Sequence, residues 1–259
     1  MPRKPREFIN GEIYHVVLRR IGNELLFKDI DDYYRGIFYI YECNTTKTIT
    51  IRERRRARAK MKKAQSDRGR TPAKTIERAE KIQERRDLLV EVLAFCLMPN
   101  HIHLLVRQLQ DGGISKFIQK IASGYAAYFK KKYDIKHKGY FFQGRFNAVH
   151  IKTDDQLKAV FVYIHTNPAA LVEPGWKEKG IKDPDKVIKL LEDYKWSSYQ
   201  DYLGQKNFPS VTERDFMLKV MGGKEGCREW VEGWINYKKE IRELLIRELL
   251  NKHQSFLLE

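Results

Sequence analysis

The chain has 259 residues, of which 42% are hydrophobic, and this is enough apolar material for one large domain or a core domain with additions. Its net charge of +16 predicts a polyanionic partner, nucleic acid before a membrane surface. The sequence contains no apolar stretch of the ~18 residues that a membrane span needs, and its N-terminus has no apolar run of the kind found in a signal peptide. Its three cysteines are widely spaced, which argues against a disulfide framework. We therefore expect a cytoplasmic protein.

The first predicted elements are a strand and a helix. Residues 11–20 are rich in β-branched and aromatic residues and follow a turn-forming Asn-Gly pair, which favours a strand. Acidic residues at 29–32 suit the N-terminus of a helix, and an amphipathic pattern continues from 33 to 41.

A strongly basic segment follows at 47–87, with sixteen Lys and Arg residues against six Asp and Glu. It contains few large apolar residues, and a Gly-Arg-Thr-Pro sequence at 69–72 divides it into two predicted helical pieces. Two interpretations stay open. One is a solvated or partly disordered insertion, and the other is an electrostatic arm that follows a phosphate backbone.

The middle of the chain predicts a hairpin of two central strands. Nearly continuous apolar runs at 88–97 and 101–107 are joined by a Met-Pro-Asn turn. A core-facing helix is predicted over 114–132, and the latter half of 139–151 predicts a fourth strand.

One further helix is predicted directly after the fourth strand. Thr153 is a good N-cap, and Gln156 three residues later completes a capping box. The helix is expected to run from 154 to about 166, because Pro168 stops it.

Without the basic segment and this last helix, the element order is βαββαβ. We therefore predict an α+β fold with a ferredoxin-like antiparallel sheet of four strands and two helices on one face. Residues 1–204 would form this domain and 205–259 a helical C-terminal extension. In the extension, apolar residues at helical spacing predict a face that packs against the core or a partner chain: Trp230, Trp234, Tyr237, Ile241, Leu244, Leu245 and Leu249.

Two histidines begin the third predicted strand. Because side chains alternate along a strand, His101 and His103 point to one face and Ile102 to the other. Two neutral imidazoles on one face are suitable metal ligands. Exposed or hydrogen-bonded strand histidines without a metal are the alternative interpretation.

A tyrosine and an asparagine lie one turn apart on the capped helix. That helix has an apolar stripe that faces the core, made of Leu157, Val160, Phe161 and Ile164. Tyr163 and Asn167 share one edge beside the stripe, so both side chains can reach one point. Periodicity alone leaves Tyr163 equally consistent with a hydrogen-bonded boundary residue and with a nucleophile.

Several ordered motifs resemble a known family. The Met98–Leu105 segment resembles the His-hydrophobic-His (HUH) motif of single-tyrosine transposases of the IS200/IS605-like class, most closely the REP-associated tyrosine transposases. The resemblance covers roughly 8–204 and also includes these motifs: Tyr14-His15-Val16, Phe142-Gln143-Gly144-Arg145-Phe146, Tyr163-Ile164-His165-Thr166-Asn167-Pro168 and Trp196-Ser197-Ser198-Tyr199.

The resemblance implies a site and a reaction. It makes His101, His103 and Asn167 ligands of a divalent metal, Mg²⁺ or Mn²⁺, and Tyr163 the nucleophile, although many relatives have Gln at the position of Asn167. It implies cleavage of single-stranded or hairpin DNA through a 5′-phosphotyrosine link. A homodimer is possible, with the tyrosine acting in its own subunit or across the dimer.

Basic residues near the sheet are candidate phosphate contacts, namely Arg19, Arg20, Arg145 and Lys152. His15 and His165 are additional candidates for lining the site. Two other functions remain open: a non-catalytic ferredoxin-like nucleic-acid-binding protein, and a metal hydrolase that uses His101 and His103 with a water nucleophile.

Overall fold

The computed structural model of the protein describes residues 7–48, 59, 87–136, 139–144 and 146–256, with side chains described as far as 244. One sheet of four strands has the order β2-β3-β1-β4, and every neighbouring pair is antiparallel. The strands are β1 (Ile13–Arg19), β2 (Val90–Met98), β3 (His101–Gln108) and β4 (Asn147–Ile151). The predicted four-stranded antiparallel sheet is confirmed.

Helices surround this sheet. In chain order, the α-helices of the described ranges are α1 (Ile30–Glu42), α2 (Gly113–Lys132), α3 (Asp154–Thr166), α4 (Trp176–Lys179), α5 (Pro184–Asp193), α6 (Tyr199–Tyr202), α7 (Asp215–Met221) and α8 (Gly223–Phe256). None of the helices in this part of the chain is both long and apolar enough to cross a membrane.

The start of α3 agrees with the predicted cap. The Thr153 side chain accepts a hydrogen bond from the backbone N–H of Gln156 over 3.2 Å, which satisfies one of the free donors of the first turn. The Gln156 side chain accepts from the N–H of Lys152 instead of that of Thr153, so the reciprocal bond of the capping box is displaced by one residue.

Helices α1 and α2 cover one face of the sheet. The even-numbered residues of β1 and β3 point into this core because side chains alternate along a strand. Ile102 and Leu104 belong to it, as the strand pattern predicts. The two helices approach closely where Gly124 faces Tyr39, since a Cβ atom on Gly124 would lie 2.5 Å from the Tyr39 ring.

The other face of β2 and β3 is covered by α3 and the C-terminal helices. Leu157, Phe161 and Ile164 of the predicted apolar stripe are buried in this second core, whereas Val160 is partly buried at its edge. Helix α8 contributes a buried stripe at i, i+4, i+8 spacing, made of Cys227, Val231 and Ile235.

The aromatic residues of the predicted packing face of α8 do not pack against the core, and packing of this face against a partner chain stays a prediction. Trp230, Trp234 and Tyr237 are exposed, because the core contacts of this helix are made one position further along the chain. The proposed boundary between 204 and 205 stays a prediction.

The Trp-Ser-Ser-Tyr motif protects the outer edge of β2. The backbone of Leu97 donates to Trp196 O over 2.8 Å, and that of Ser198 donates to Phe95 O over 3.0 Å. Edge strands present unpaired backbone groups, so these bonds satisfy an edge that would otherwise remain open. The interior of the basic segment, 49–86 except for 59, lies outside the described residues.

Candidate metal and tyrosine site

His101 and His103 lie on the face of β3 that is turned towards α3. In the pairing with β1, Arg19 lies opposite His101 and Val17 lies opposite His103. Both imidazoles are buried, and their ring centroids are 4.7 Å apart. The predicted orientation of the pair is therefore found in the fold.

Each imidazole has one ring nitrogen held by a neighbour. His101 Nδ1 lies 2.5 Å from the side-chain oxygen of Asn100, and His103 Nδ1 lies 3.0 Å from His15 Nε2. His103 Nε2 is buried and has no hydrogen-bond partner among the described residues. In metal sites the second ring nitrogen of a histidine ligand is commonly fixed by such a hydrogen bond, which sets the tautomer and the ring orientation.

The three histidines of the site are neutral at physiological pH. Burial, reinforced by the charge of Lys177, lowers the pKa of His15 to about 4. Burial, then the charges of Arg19 and Lys177, lowers the pKa of His101 to about 4, and burial holds the pKa of His103 well below its ordinary value. Neutral imidazoles have the lone pairs that metal ligation requires.

Tyr163 and Asn167 reach this cluster from the last turns of α3. The Tyr163 ring lies edge-on to His103, with centroids 5.5 Å apart, and 5.8 Å from the ring of His15. The Asn167 side-chain nitrogen donates to the backbone oxygen of Tyr163 over 2.6 Å. This bond satisfies a terminal carbonyl of the helix and fixes the Asn167 amide beside the tyrosine.

Lys177 is the residue of this site that the sequence pattern does not reveal. Its ammonium nitrogen lies 3.0 Å from the Tyr163 hydroxyl oxygen and 3.2 Å from Asn167 Oδ1. The lysine lies on the four-residue helix α4, in a stretch whose Pro and Gly residues indicate only irregular structure. No spacing in the sequence relates it to Tyr163.

A small cavity of about 200 Å³ joins these groups. Its lining includes Arg19, His101, Tyr163, Asn167, Lys177 and Glu178. Two of these side chains are cations and one is a carboxylate, so the cavity carries a net positive charge that suits a phosphate group.

Comparison with known proteins adds a family to this geometry. Residues 62–167 match the family model for IS200-like transposases, and the matched segment contains His101, His103, Tyr163 and Asn167. The resemblance to IS200-like transposases is confirmed. It supports a transposase-like activity on DNA.

The solved structure of a REP-associated tyrosine transposase bound to a REP hairpin aligns over 83% of this chain and 93% of its own, with 16% sequence identity and a TM-score of 0.43. No curated protein matches the chain.

The residues present fit a divalent metal of the kind that the IS200-like resemblance implies. No group of three or more His, Cys, Asp or Glu side chains is placed to hold a metal within the described ranges. The Asn167 side-chain oxygen is available as a third protein ligand, since a carbonyl oxygen has two lone pairs and Lys177 uses one of them. His103 Nε2 is buried and has no hydrogen-bond partner among the described residues, and a bound ion would supply the partner that this atom lacks.

The predicted phosphate contacts have different positions relative to the cluster of His101, His103, Tyr163 and Asn167. Arg19 lies at the cavity. Arg20 does not reach it: its guanidinium is buried, donates to the Glu24 carboxylate and lies 3.8 Å from the Phe141 ring centroid on the opposite face of the sheet, and its role as a phosphate contact stays a prediction. Lys152 is exposed beyond the other end of β1. Arg145 lies outside the described residues.

Of the two additional histidine candidates, one belongs to the site and the other does not. His15 contacts His103 and Tyr163, so it belongs to the site. His165 does not: it is fully buried in the second core, where its Nε2 lies 2.8 Å from the Ser198 hydroxyl. Residue 165 falls on the core side of α3 because it follows Ile164 around the helix, away from Tyr163.

Proposed function

We propose that the protein is a metal-dependent single-stranded DNA endonuclease and strand transferase of the HUH single-tyrosine type, with Tyr163 as its nucleophile. One observation carries the proposal. The phenol of Tyr163 is in ring contact with His103, and Asn167, one turn later, lines the same cavity as His101. The alternative of a non-catalytic binding protein gives no reason for this convergence.

The sheet supports a ferredoxin-like scaffold for this activity. Strand β1 lies between β3 and β4 and is antiparallel to both, while β2 and β3 form a hairpin. This order is the one that a split βαβ arrangement produces. It places the histidines on a central strand, where their backbone is fixed on both sides.

His101, His103 and Asn167 would hold the metal. Nitrogen and oxygen ligands without a thiolate suit Mn²⁺ or Mg²⁺. When bound, the ion supplies Lewis-acid polarisation of a non-bridging phosphate oxygen. His15 and Asn100 act on the ligands, because each occupies the Nδ1 side of one imidazole and so orients its Nε2.

Tyr163 carries the covalent step. Its hydroxyl oxygen forms a bond to the phosphorus atom while the bond from phosphorus to the 3′ oxygen breaks. The phenol proton is released, and the departing 3′ oxygen gains a proton to become a free 3′-OH. The downstream fragment remains attached through a 5′-phosphotyrosine, and attack by another 3′-OH reverses the step and joins two strands without an external energy source.

Two basic residues prepare this attack. Lys177 donates to the phenol oxygen and so fixes its position before the substrate enters. Arg19, on the wall of the same cavity, provides a cation for the phosphate. The IS200-like resemblance supports single-stranded or hairpin DNA as the substrate.

A labelled hairpin oligonucleotide with an unpaired extension tests the proposal. With Mn²⁺ or Mg²⁺ we expect an adduct that survives denaturing electrophoresis, retains a label at the 3′ end of the DNA and loses a label at the 5′ end. EDTA and Tyr163→Phe should both abolish it, with DNA binding retained. Tyr34→Phe is the matched control, since Tyr34 is also an exposed tyrosine whose hydroxyl oxygen contacts a lysine, Lys195.

Other outcomes would contradict the proposal in distinct ways. Cleavage without an adduct would indicate a water nucleophile and therefore a metal hydrolase. DNA binding that is indifferent to EDTA, with no cleaved product, would indicate a binding protein. An adduct that persists in Tyr163→Phe would place the nucleophile elsewhere.

A further inference from the structure

We infer that the groove between α3 and α8 binds the unpaired bases that adjoin the phosphate attacked by Tyr163. The inference rests on the proposed function, since it assigns a place to the single-stranded part of that substrate. It concerns the long C-terminal helix, which the family match at 62–167 does not include.

The groove is larger than the metal-site cavity, and Tyr163 lines both spaces. It has a volume of about 760 Å³ and is walled by Val162 and Tyr163 on α3 and by Trp230, Trp234 and Tyr237 on α8. Tyr163 is thus a boundary residue shared by the metal-site cavity and this groove. A strand whose phosphate lies at the phenol oxygen would have its neighbouring nucleotides at the groove.

The aromatic residues of the groove are not needed to attach α8 to the protein. Trp230, Trp234 and Tyr237 are 47%, 38% and 48% exposed, at i, i+4, i+7 spacing. A separate stripe on the same helix already packs into the second core. Three large rings exposed along one groove form an apolar patch of the kind that marks a binding surface.

The chemistry of the groove matches the bases of a single strand. Base stacking on aromatic side chains, with cations nearby for the backbone, is the usual mode of single-stranded nucleic-acid binding. Lys158 Nζ lies 5.3 Å from the Trp230 ring centroid, and Lys238 Nζ lies 5.2 Å from that of Trp234. Asp155 and Glu229 also line the groove, and their negative charges disfavour a phosphate backbone along its walls. The aromatic rings are therefore the surface on which bases would stack.

Gly233 keeps the groove open between the aromatic residues. It lies in the middle of α8 and lines the groove, and a Cβ atom there would meet nothing within 4 Å. Glycine weakens a helix interior, and packing of the described residues does not require it at this position. A base bound in the groove would use the space that a side chain at position 233 would otherwise fill.

The groove is held in a fixed relation to the site. Lys238 on α8 donates to the backbone oxygen of Lys177 over 2.9 Å, and its own backbone oxygen accepts from Ile181 over 3.0 Å. Gly180 has a φ of +69°, and a Cβ atom there would lie 2.4 Å from the Lys238 oxygen, so this close approach requires glycine. The helix that carries the rings is therefore joined directly to the residues beside Tyr163.

Binding measured in EDTA, without cleavage, tests the groove. The probes are a fluorescent hairpin with an unpaired extension and the same hairpin with a blunt end, titrated with the full chain. Trp230→Leu and Trp234→Leu remove stacking surfaces, and Gly233→Leu fills the groove while it improves helix propensity. Leu244→Ala, an exposed apolar residue of α8 that does not line the groove, is the control.

We expect each groove variant to lose about fivefold to a hundredfold in affinity for the extended hairpin. Affinity for the blunt hairpin should not change. Equal affinity of wild type and variants for the extended probe would overturn the inference, as would an equal loss for both probes. A change in sedimentation of the free protein on Trp234→Leu would instead assign the groove to a second copy of the chain.

The adduct assay separates this inference from the proposed function. A wild-type chain that forms the adduct, with groove variants that bind the extended probe normally, would overturn the groove alone. A chain that selects the extension through the groove but forms no adduct would overturn the covalent step alone. A chain that binds neither probe would overturn both.

Discussion

Lys177 donates from its ammonium nitrogen to the phenol oxygen of Tyr163 over 3.0 Å. The same ammonium reaches Asn167 Oδ1 and lies 4.2 Å from the centroid of the Tyr163 ring. A single cation thus fixes both the tyrosine and the amide that we propose as a metal ligand. Because the lysine lies on α4, the packing of that short helix determines the geometry of the site.

Loss of Lys177 should slow the covalent step. We expect Lys177→Met to reduce the single-turnover rate of adduct formation about tenfold to a hundredfold at saturating DNA, because the phenol oxygen loses its positioning donor. Lys177→Arg should retain most of the rate. Lys179→Met, an exposed lysine of the same helix, serves as the control. Equal rates in Lys177→Met and wild type would contradict the role.

Asn167 should determine the metal requirement. Asn167→Ala removes the oxygen ligand, and we expect the Mn²⁺ concentration for half-maximal adduct formation to rise about tenfold or more. Asn167→Gln, which retains an amide oxygen on a longer side chain, should recover part of the affinity. A Mn²⁺ titration of the adduct yield measures both, and an unchanged midpoint in Asn167→Ala would exclude this residue as a ligand.

Tyr163 should act in its own chain, because its ring contacts His103 of the same chain. We expect a mixture of His101→Ala and Tyr163→Phe proteins to form no adduct, since neither chain holds a complete site. A mixture of wild type with Tyr163→Phe, as the reference, should form adduct in proportion to its wild-type content. Recovery of adduct in the first mixture would show that the tyrosine acts across a dimer.

His165 should make folding sensitive to acid. Burial lowers the pKa of His165 to about 3, so in the folded chain this imidazole stays neutral while in the unfolded chain it is protonated below about pH 6.5. The unfolded state therefore binds more protons between pH 6.5 and 3, and the free energy of unfolding falls as the pH is lowered through this range. The contribution is about 1.4 kcal/mol per pH unit.

Urea denaturation in EDTA at several pH values between 7 and 4 checks this expectation. His165→Gln keeps a donor near Ser198 but cannot titrate, so its stability should decline less steeply with acid. His150→Gln makes the same replacement at a half-buried histidine outside the second core, whose Nε2 lies 2.9 Å from a Glu12 carboxylate oxygen, and is the control for the substitution itself. An unchanged slope in His165→Gln would show that the imidazole is already charged in the folded protein.

The sequence by itself determined what depends on local periodicity. The two-residue repeat of β3 predicts that His101 and His103 share a face, and the 3.6-residue repeat of α3 predicts that Tyr163 and Asn167 share an edge; the structure has both. The cap at Thr153 and the sheet strands follow from residues that are neighbours in the chain. These features need no knowledge of what packs against them.

Only the tertiary structure decided which groups meet at the site. Lys177 reaches Tyr163 because α4 packs beside the end of α3. Arg20 lies away from the site because it binds a carboxylate and an aromatic ring on the opposite face of the sheet. Trp230 and Trp234 have the spacing of a core face but stay exposed, since a different stripe of α8 fills the core. Periodicity defines a face, and long-range packing determines what that face contacts.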